Sequence, residues 1–259
     1  MKKLFLLAMS ALLVLGCGSK SSSNSGDEEK KDVKELKTEV FKCEFSEPYV
    51  SGSIICQYPV GGDKELCDAA ITYLQEELNG EADVSDYPEE GQEFVDFWAV
   101  LIKQAMQQEK EAEGEYYNDE TRINVKASVV EDNDRYLTYL FEYTNSDDDR
   151  ENTQRGATFR KGDASRLTPE LLFKDPASPE LLQLIHDALR EKYTENDDEE
   201  QYIDGIDMMP DYLYITSKGL TFVYYFAYAF NNPPIGLSGV IPYNKVKDLL
   251  TDEAQALFE

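Results

Sequence analysis

Two kinds of hydrophobic periodicity occur along this chain, and their order restricts the folds that it can adopt. Segments with apolar residues at every second position indicate strands, and segments with apolar residues three to four positions apart indicate amphipathic helices. The predicted strands are 40–45, 52–60, 122–130, 136–143, 156–160, 212–216, 220–230 and 240–243, and the predicted helices are 63–79, 92–113, 167–173, 178–193 and 244–250. Because strands and helices do not alternate strictly, we predict an α+β fold with antiparallel sheets and packed helices.

Residues 1–17 have the order of a bacterial secretory signal. Lys2 and Lys3 precede an apolar stretch, residues 4–15, which is shorter than the roughly 20 residues of a membrane-spanning helix. Gly16 then precedes Cys17, as in the lipobox of bacterial lipoproteins. We therefore expect Cys17 to be lipidated and the mature protein to be anchored to a membrane of the bacterial cell envelope, either periplasmic or surface-exposed.

The segment after the lipidation site has the composition of a linker. Residues 18–38 contain a serine-rich stretch and then a run of charged side chains. Such a composition has little apolar surface to bury, so the sequence predicts a flexible tether between the anchor and the folded part of the chain.

The chain is strongly acidic, with a formal net charge of −27. Because Lys2 and Lys3 lie in the signal, the mature protein carries −29. This charge excludes nucleic acid as a natural partner, since binding phosphate backbones requires clustered basic side chains, and it favours a basic protein or a polyvalent cation. Solubility alone is the alternative explanation. The acidic runs 147–149 and 197–200 lack the spacing of an EF-hand calcium loop.

The few histidines and cysteines limit the chemistry that the chain can carry. His186 is the single histidine of the sequence, which excludes a metal site built from several histidines. Beyond Cys17, export to an oxidising compartment predicts one disulfide and one leftover thiol. Cys43 and Cys56 lie on adjacent predicted strands and are the preferred pair, although Cys67 could replace either of them. We predict no catalytic set, no metal and no cofactor.

One predicted strand is unusually rich in aromatic side chains. Every second position from Phe222 to Phe230 is aromatic, so these five rings share one face of the strand. Such a face is most often core, but if it is open it is the best binding surface that the sequence offers. The candidate binding residues on this strand and the loop after it are Tyr224, Tyr225, Tyr228, Phe230, Asn231 and Asn232.

Several short segments, taken in order, resemble a known extracytoplasmic family. The sequence LTPELLF stands at 167–173, YLYIT at 212–216, GLTF at 219–222 and VIPY at 240–243. This order is similar to the RsiV-like domain family, which also forms the non-catalytic part of PdaC-type deacetylases. Upstream, CQYPV at 56–60 and the helix after it resemble the PdaC-like domain that usually precedes it.

The resemblance implies two subdomains in tandem, a PdaC-like α+β domain at 39–160 and an RsiV-like α+β domain at 161–259. It also implies an extracytoplasmic location, no catalytic activity and, as in RsiV, binding of lysozyme. The Gly-Gly-Ala-His type of segment that the family usually has is not matched here, where Asn145 and the acidic residues after it occupy that region.

These observations favour a non-catalytic, lipid-anchored binding or scaffold module. Its expected partner is an extracellular protein, of which a basic, lysozyme-like protein is one form, or a glycan of the cell wall. The alternative is a carboxylate-dependent hydrolase that acts on envelope glycans, for which a cleft with two carboxylates about 5 to 9 Å apart is expected. A purely structural envelope protein is a third hypothesis.

Overall fold

The computed structural model describes residues 35–79, 87–113, 121–146, 153–193, 203, 205–224 and 237–258, which belong to one compact unit, Val33–Glu259. The strands are β1 (Leu36–Glu47), β2 (Val50–Gly62), β3 (Thr121–Asp132), β4 (Tyr136–Asn145), β5 (Thr153–Arg160), β6 (Tyr212–Thr216), β7 (Gly219–Tyr224) and β8 (Leu237–Ile241). The helices are α1 (Lys64–Asn79), α2 (Gly91–Glu113), α3 (Pro169–Leu172), α4 (Pro179–Tyr193), α5 (Tyr243–Val246), a 3-10 turn (Lys247–Leu249) and α6 (Asp252–Gln255). The predicted α+β fold is confirmed.

The first sheet has the order β1-β2-β3-β4-β5, and it is mixed and not purely antiparallel as predicted. β2 and β3 are parallel, with Val50 opposite Thr121 and Cys56 opposite Ala127. The reason is the connection between them: α1 and α2 lie in sequence between these two strands, and a crossover of this length returns the chain in the same direction. The other pairs in this sheet are antiparallel.

The first apolar core lies between this sheet and the two long helices. α1 contributes Leu66, Ala70, Tyr73 and Leu74, and α2 contributes Phe94 and Trp98, at the spacing of an amphipathic helix. Further along α2, Met106 is buried and Ala105 is exposed. The Trp98 and Phe141 rings stack with their centroids 5.6 Å apart, which fixes α2 against β4.

The second sheet is antiparallel, with the order β6-β7-β8, and it has its own apolar core. Leu181, Ile185 and Leu189 of α4 are buried in that core, as the helical periodicity predicts. The turn between β6 and β7 consists of Ser217 and Lys218, and Gly219 after it has a φ of +138°, a conformation that favours glycine.

The predicted boundaries of β1 and α5 are wrong. β1 begins at Leu36, inside the segment 18–38 that was predicted as tether, because the start of this strand pairs with the end of β2. The helix predicted at 244–250 begins earlier, at Tyr243 directly after Pro242, and it lasts a single turn before the 3-10 turn. Within the described ranges, no helix has both the length and the apolar character needed to cross a bilayer.

Two buried threonines of the first sheet form hydrogen bonds with the backbone of β6, on the edge that does not pair with β7. The Thr138 hydroxyl donates to the Ile215 carbonyl oxygen at 2.8 Å, and the Ile215 N–H donates to Thr158 Oγ1 at 2.8 Å. The two threonine oxygens are themselves 2.8 Å apart. Since Thr138 gives its proton to Ile215, Thr158 must donate to Thr138. Every polar group in this set is therefore paired, although both threonines are fully buried.

We expect Thr158→Val to lower the free energy of unfolding by about 2 kcal/mol, because it leaves the buried Ile215 N–H without an acceptor. Urea denaturation followed by circular dichroism measures this change. Thr144→Val on the neighbouring strand β4 is the matched control, since Thr144 is exposed. The control should stay within about 0.5 kcal/mol of the wild type. Equal stabilities of the two variants would contradict the role given to the threonine pair.

Candidate functional site

The aromatic strand is core where the structure describes it. Tyr224 is 1% exposed, its ring packs edge-on against Phe222, and its hydroxyl donates to the Met208 carbonyl oxygen at 2.8 Å. Burial raises the pKa of Tyr224 well above its ordinary value. The prediction of Tyr224 as a binding residue is therefore wrong, because the second core covers this face of the strand.

The remaining candidates on that strand and its loop are Tyr225, Tyr228, Phe230, Asn231 and Asn232, which lie outside the described residues. Cys17 also lies outside them. Binding at the first set and lipidation at Cys17 stay predictions.

The structure does not form the disulfide predicted between Cys43 and Cys56, and both thiols are free, as is Cys67. The strand register gives the reason: Cys43 lies opposite Ile54, and Cys56 lies opposite Phe41. Two residues related in this diagonal way are about 7 to 8 Å apart, which is too far for a disulfide. Cys56 belongs to the first core, and its burial there raises the pKa of its thiol to about 12.

His186 has a structural role on α4. Its Nε2 lies 2.9 Å from the Ile206 carbonyl oxygen. Since a carbonyl only accepts, Nε2 carries the proton and donates it. This bond ties the segment before β6 to α4. Within the ranges that the structure describes, no group of three or more His, Cys, Asp or Glu side chains is arranged to hold a metal ion.

An open cavity of about 620 Å³, here called the turn cavity, lies where three chain segments meet. It is lined by the β3–β4 turn (133–136), the β6–β7 turn (216–219), and Tyr243, Leu257 and Phe258 near the end of the chain. The two turns are held together directly, because the Ser217 N–H donates to a Glu131 carboxylate oxygen at 2.6 Å. This distance is short because the acceptor is charged.

Charged and aromatic side chains meet in the turn cavity. Arg135 and Lys218 are both exposed, and Asp134 is the acidic residue among the described lining residues. The Tyr243 and Phe258 rings stack with their centroids 4.4 Å apart and their planes at 17°. The predicted strand bounds leave short connections at 131–135 and 217–219, but the sequence gave no signal that these two connections come together.

A shallower depression of about 450 Å³ lies on the open face of the first sheet, across β1, β2 and β3. Its outward side chains are short and polar, and the Ser53 hydroxyl donates to Asn124 Oδ1 at 2.9 Å. The Ser51 hydroxyl is buried without a hydrogen-bond partner there. Arg122 supplies the positive charge and Glu44 the negative charge among the described residues that line it. This surface is polar and flat, and it suits hydrogen bonding to a ligand more than enclosing one.

The hydrolase hypothesis needs two carboxylates across a cleft. Of the described lining residues, Asp134 is the carboxylate of the turn cavity and Glu44 that of the sheet depression. Neither surface therefore supplies such a pair from the described side chains. The hydrolase hypothesis stays a prediction.

Glu77 is the most deeply buried carboxylate that the structure describes, with 5% of its side chain exposed. Its Oε2 accepts a hydrogen bond from Arg155 Nη1 at 3.1 Å. The Arg155 guanidinium lies 5.7 Å from the ring centroids of both Phe141 and Tyr212. Burial raises the pKa of Glu77 above its ordinary value, and Arg155 opposes this only in part. The pair links α1, β5 and β6 and is not part of either cavity.

The raised pKa of Glu77 should make the free energy of unfolding depend on pH. Because its folded pKa is raised, the fold favours the protonated carboxyl: this stabilisation is fully present below the unfolded pKa and is lost as the pH rises through the folded pKa. We expect the free energy of unfolding of the wild type, minus that of Glu77→Gln, to fall from about pH 4 to about pH 7. Denaturant titrations at each pH test this. Glu76→Gln, which removes an exposed carboxylate of α1, controls for the change in net charge, and a difference that rises with pH would contradict the assignment.

Comparison with known proteins identifies the fold. The sequence matches no protein family model and no curated protein. A DUF3298 family member from Bacteroides fragilis superposes with a TM-score of 0.63 at 16% identity, over 88% of this chain and 98% of its own length. A DUF3298 family protein from Pseudomonas aeruginosa gives a TM-score of 0.55 at 12% identity, over 86% of this chain and 97% of its own. The chain therefore has the α+β fold of these DUF3298 family proteins.

Proposed function

We propose that this protein is a non-catalytic module, anchored by a lipid at Cys17, that binds a ligand outside the cytoplasm. The ligand is a basic, lysozyme-like protein or a glycan of the cell wall. The observation that carries this proposal is the charge: −27 over 259 residues favours basic partners electrostatically. The likeness to DUF3298 proteins is consistent with membership of the RsiV-like and PdaC-like families, from which the expectation of lysozyme binding comes.

The shape of the described surface also supports recognition. Both cavities are open, and side chains of both charges line each of them beside hydroxyl and amide groups. Polar groups arranged in this way suit binding to an extended surface or to a saccharide, because each can exchange water for a ligand hydrogen bond.

The anchor is tested first. Expressed in a bacterium with its natural leader, the protein should fractionate with membranes and carry a diacylglyceryl mass at Cys17. Cys17→Ala should abolish the lipid mass and leave the protein unanchored, because the thiol that takes the acyl groups is gone. Cys67→Ala is the matched control and should stay with the membrane. Recovery of an unmodified leader on the wild type by mass spectrometry would contradict the anchor.

Binding is tested with two probes, a c-type lysozyme and insoluble peptidoglycan. If charge carries recognition, lysozyme should bind in surface plasmon resonance and lose at least tenfold in affinity when its lysines are succinylated. Its affinity should also fall between 50 and 500 mM salt, since exposed charges are screened over about 10 Å at 0.1 M. Peptidoglycan that retains the protein in a pull-down supports the glycan form of the proposal. Failure of both probes to bind would overturn it.

A further inference from the structure

Two basic side chains line the turn cavity, although the chain as a whole is strongly acidic. Among its described lining residues, Arg135 and Lys218 are basic and Asp134 is acidic, so the lining carries one excess positive charge. Of the two carboxylates before this turn, Asp132 pairs with Lys161, and Glu131 accepts the Ser217 N–H and keeps its negative charge. Neither carboxylate forms an ion pair with Arg135 or Lys218 in the described structure, so these two cations can still bind an anion.

Neither of these two cations forms an ion pair that stabilises the described fold. Arg135 and Lys218 form no ion pair with the residues that the structure describes, whereas Arg155, Arg160 and Arg166 all do. An arginine fork can bind a carboxylate through two parallel hydrogen bonds, and a lysine adds a point charge. Two such side chains on opposing turns suit a carboxylate placed between them.

The aromatic side of the cavity suits a ring. Tyr243 and Phe258 are half-buried and stacked on each other, which keeps their rings rigid. An aromatic ring beside hydroxyl and amide groups is a suitable surface for a saccharide, which has an apolar ring face and a polar edge. Ser217 and Asn133 supply such polar groups at the turns. The volume of about 620 Å³ lies in the range of small-molecule sites, about 300 to 1,000 Å³.

We propose that the turn cavity binds a carboxylate-bearing saccharide, with Arg135 and Lys218 on the carboxylate and Tyr243 against the sugar ring. The inference deepens the glycan form of the proposed function and rests on it. It adds the chemical class of the ligand and the residues that select it.

Two sugars that differ by one acidic group test the proposal. N-acetylmuramic acid carries a carboxylate on an ether side chain, and N-acetylglucosamine lacks that side chain. Isothermal titration calorimetry on the mature protein should show at least tenfold tighter binding of N-acetylmuramic acid. The double variant Arg135→Gln/Lys218→Gln should lose this preference and bind both sugars alike.

Two further variants separate charge from stacking and from net charge. Lys37→Gln/Lys42→Gln removes two exposed cations of β1, far along the sheet from β4, and should keep the preference. Tyr243→Leu should weaken both sugars by a similar factor and keep the preference, because the ring contact is common to both. Circular dichroism confirms that each variant is folded.

Equal affinities for the two sugars, no binding of either at millimolar concentration, or a preference that survives in the Arg135/Lys218 variant would each overturn the proposal. Peptidoglycan and lysozyme binding are measured on the same samples. If peptidoglycan or lysozyme still binds while the preference for N-acetylmuramic acid is absent, the assignment of the turn cavity fails and the proposed function stands. If neither peptidoglycan nor lysozyme binds, the cavity assignment and the proposed function both fail.

Discussion

The arrangement of the two sheets depends on the hydrogen bonds that the edge strand β6 makes with the first sheet. An edge strand has N–H and C=O groups that need partners, and burying them unpaired costs about 1 to 3 kcal/mol for each group. Here Thr138 and Thr158 take the place of another strand by binding both polar groups of Ile215. Because both hydrogen bonds are 2.8 Å long, the two threonines hold β6 directly against β4 and β5.

The same contact requires β5 and β6 to approach each other closely. Gly156 lies under the Tyr214 ring, where an added Cβ would be 2.3 Å from the ring carbons. Beside this contact, the Glu77 and Arg155 pair connects α1 and β5, and the guanidinium lies near the Tyr212 ring of β6. Hydrogen bonds, a small residue and a buried ion pair thus act together. They place the β6–β7 turn next to the β3–β4 turn, and this is what creates the turn cavity.

The candidate binding surfaces differ in how far the sequence alone indicates them. The aromatic alternation that begins at Phe222 is conspicuous in the sequence, which favoured core for this face. Phe222 and Tyr224 are buried accordingly, because apolar rings are most stable out of water. Arg135 and Lys218 are 83 positions apart and belong to no motif. They become a candidate site only because two turns of different sheets meet. The disulfide prediction failed for a related reason, since adjacency of strands does not fix their register.

The sequence by itself determined the local elements of this protein. Apolar periodicity placed three helices and four strands close to their observed bounds, namely α1, α2, α4, β2, β3, β4 and β6. It could do so because burial of one face depends only on the spacing of apolar side chains along one segment. Tertiary structure alone decided the parallel pairing of β2 and β3, the contact between the sheets and the position of the cavities. Those features depend on which distant backbone groups find hydrogen-bond partners, and the spacing of residues within one segment carries no information about that.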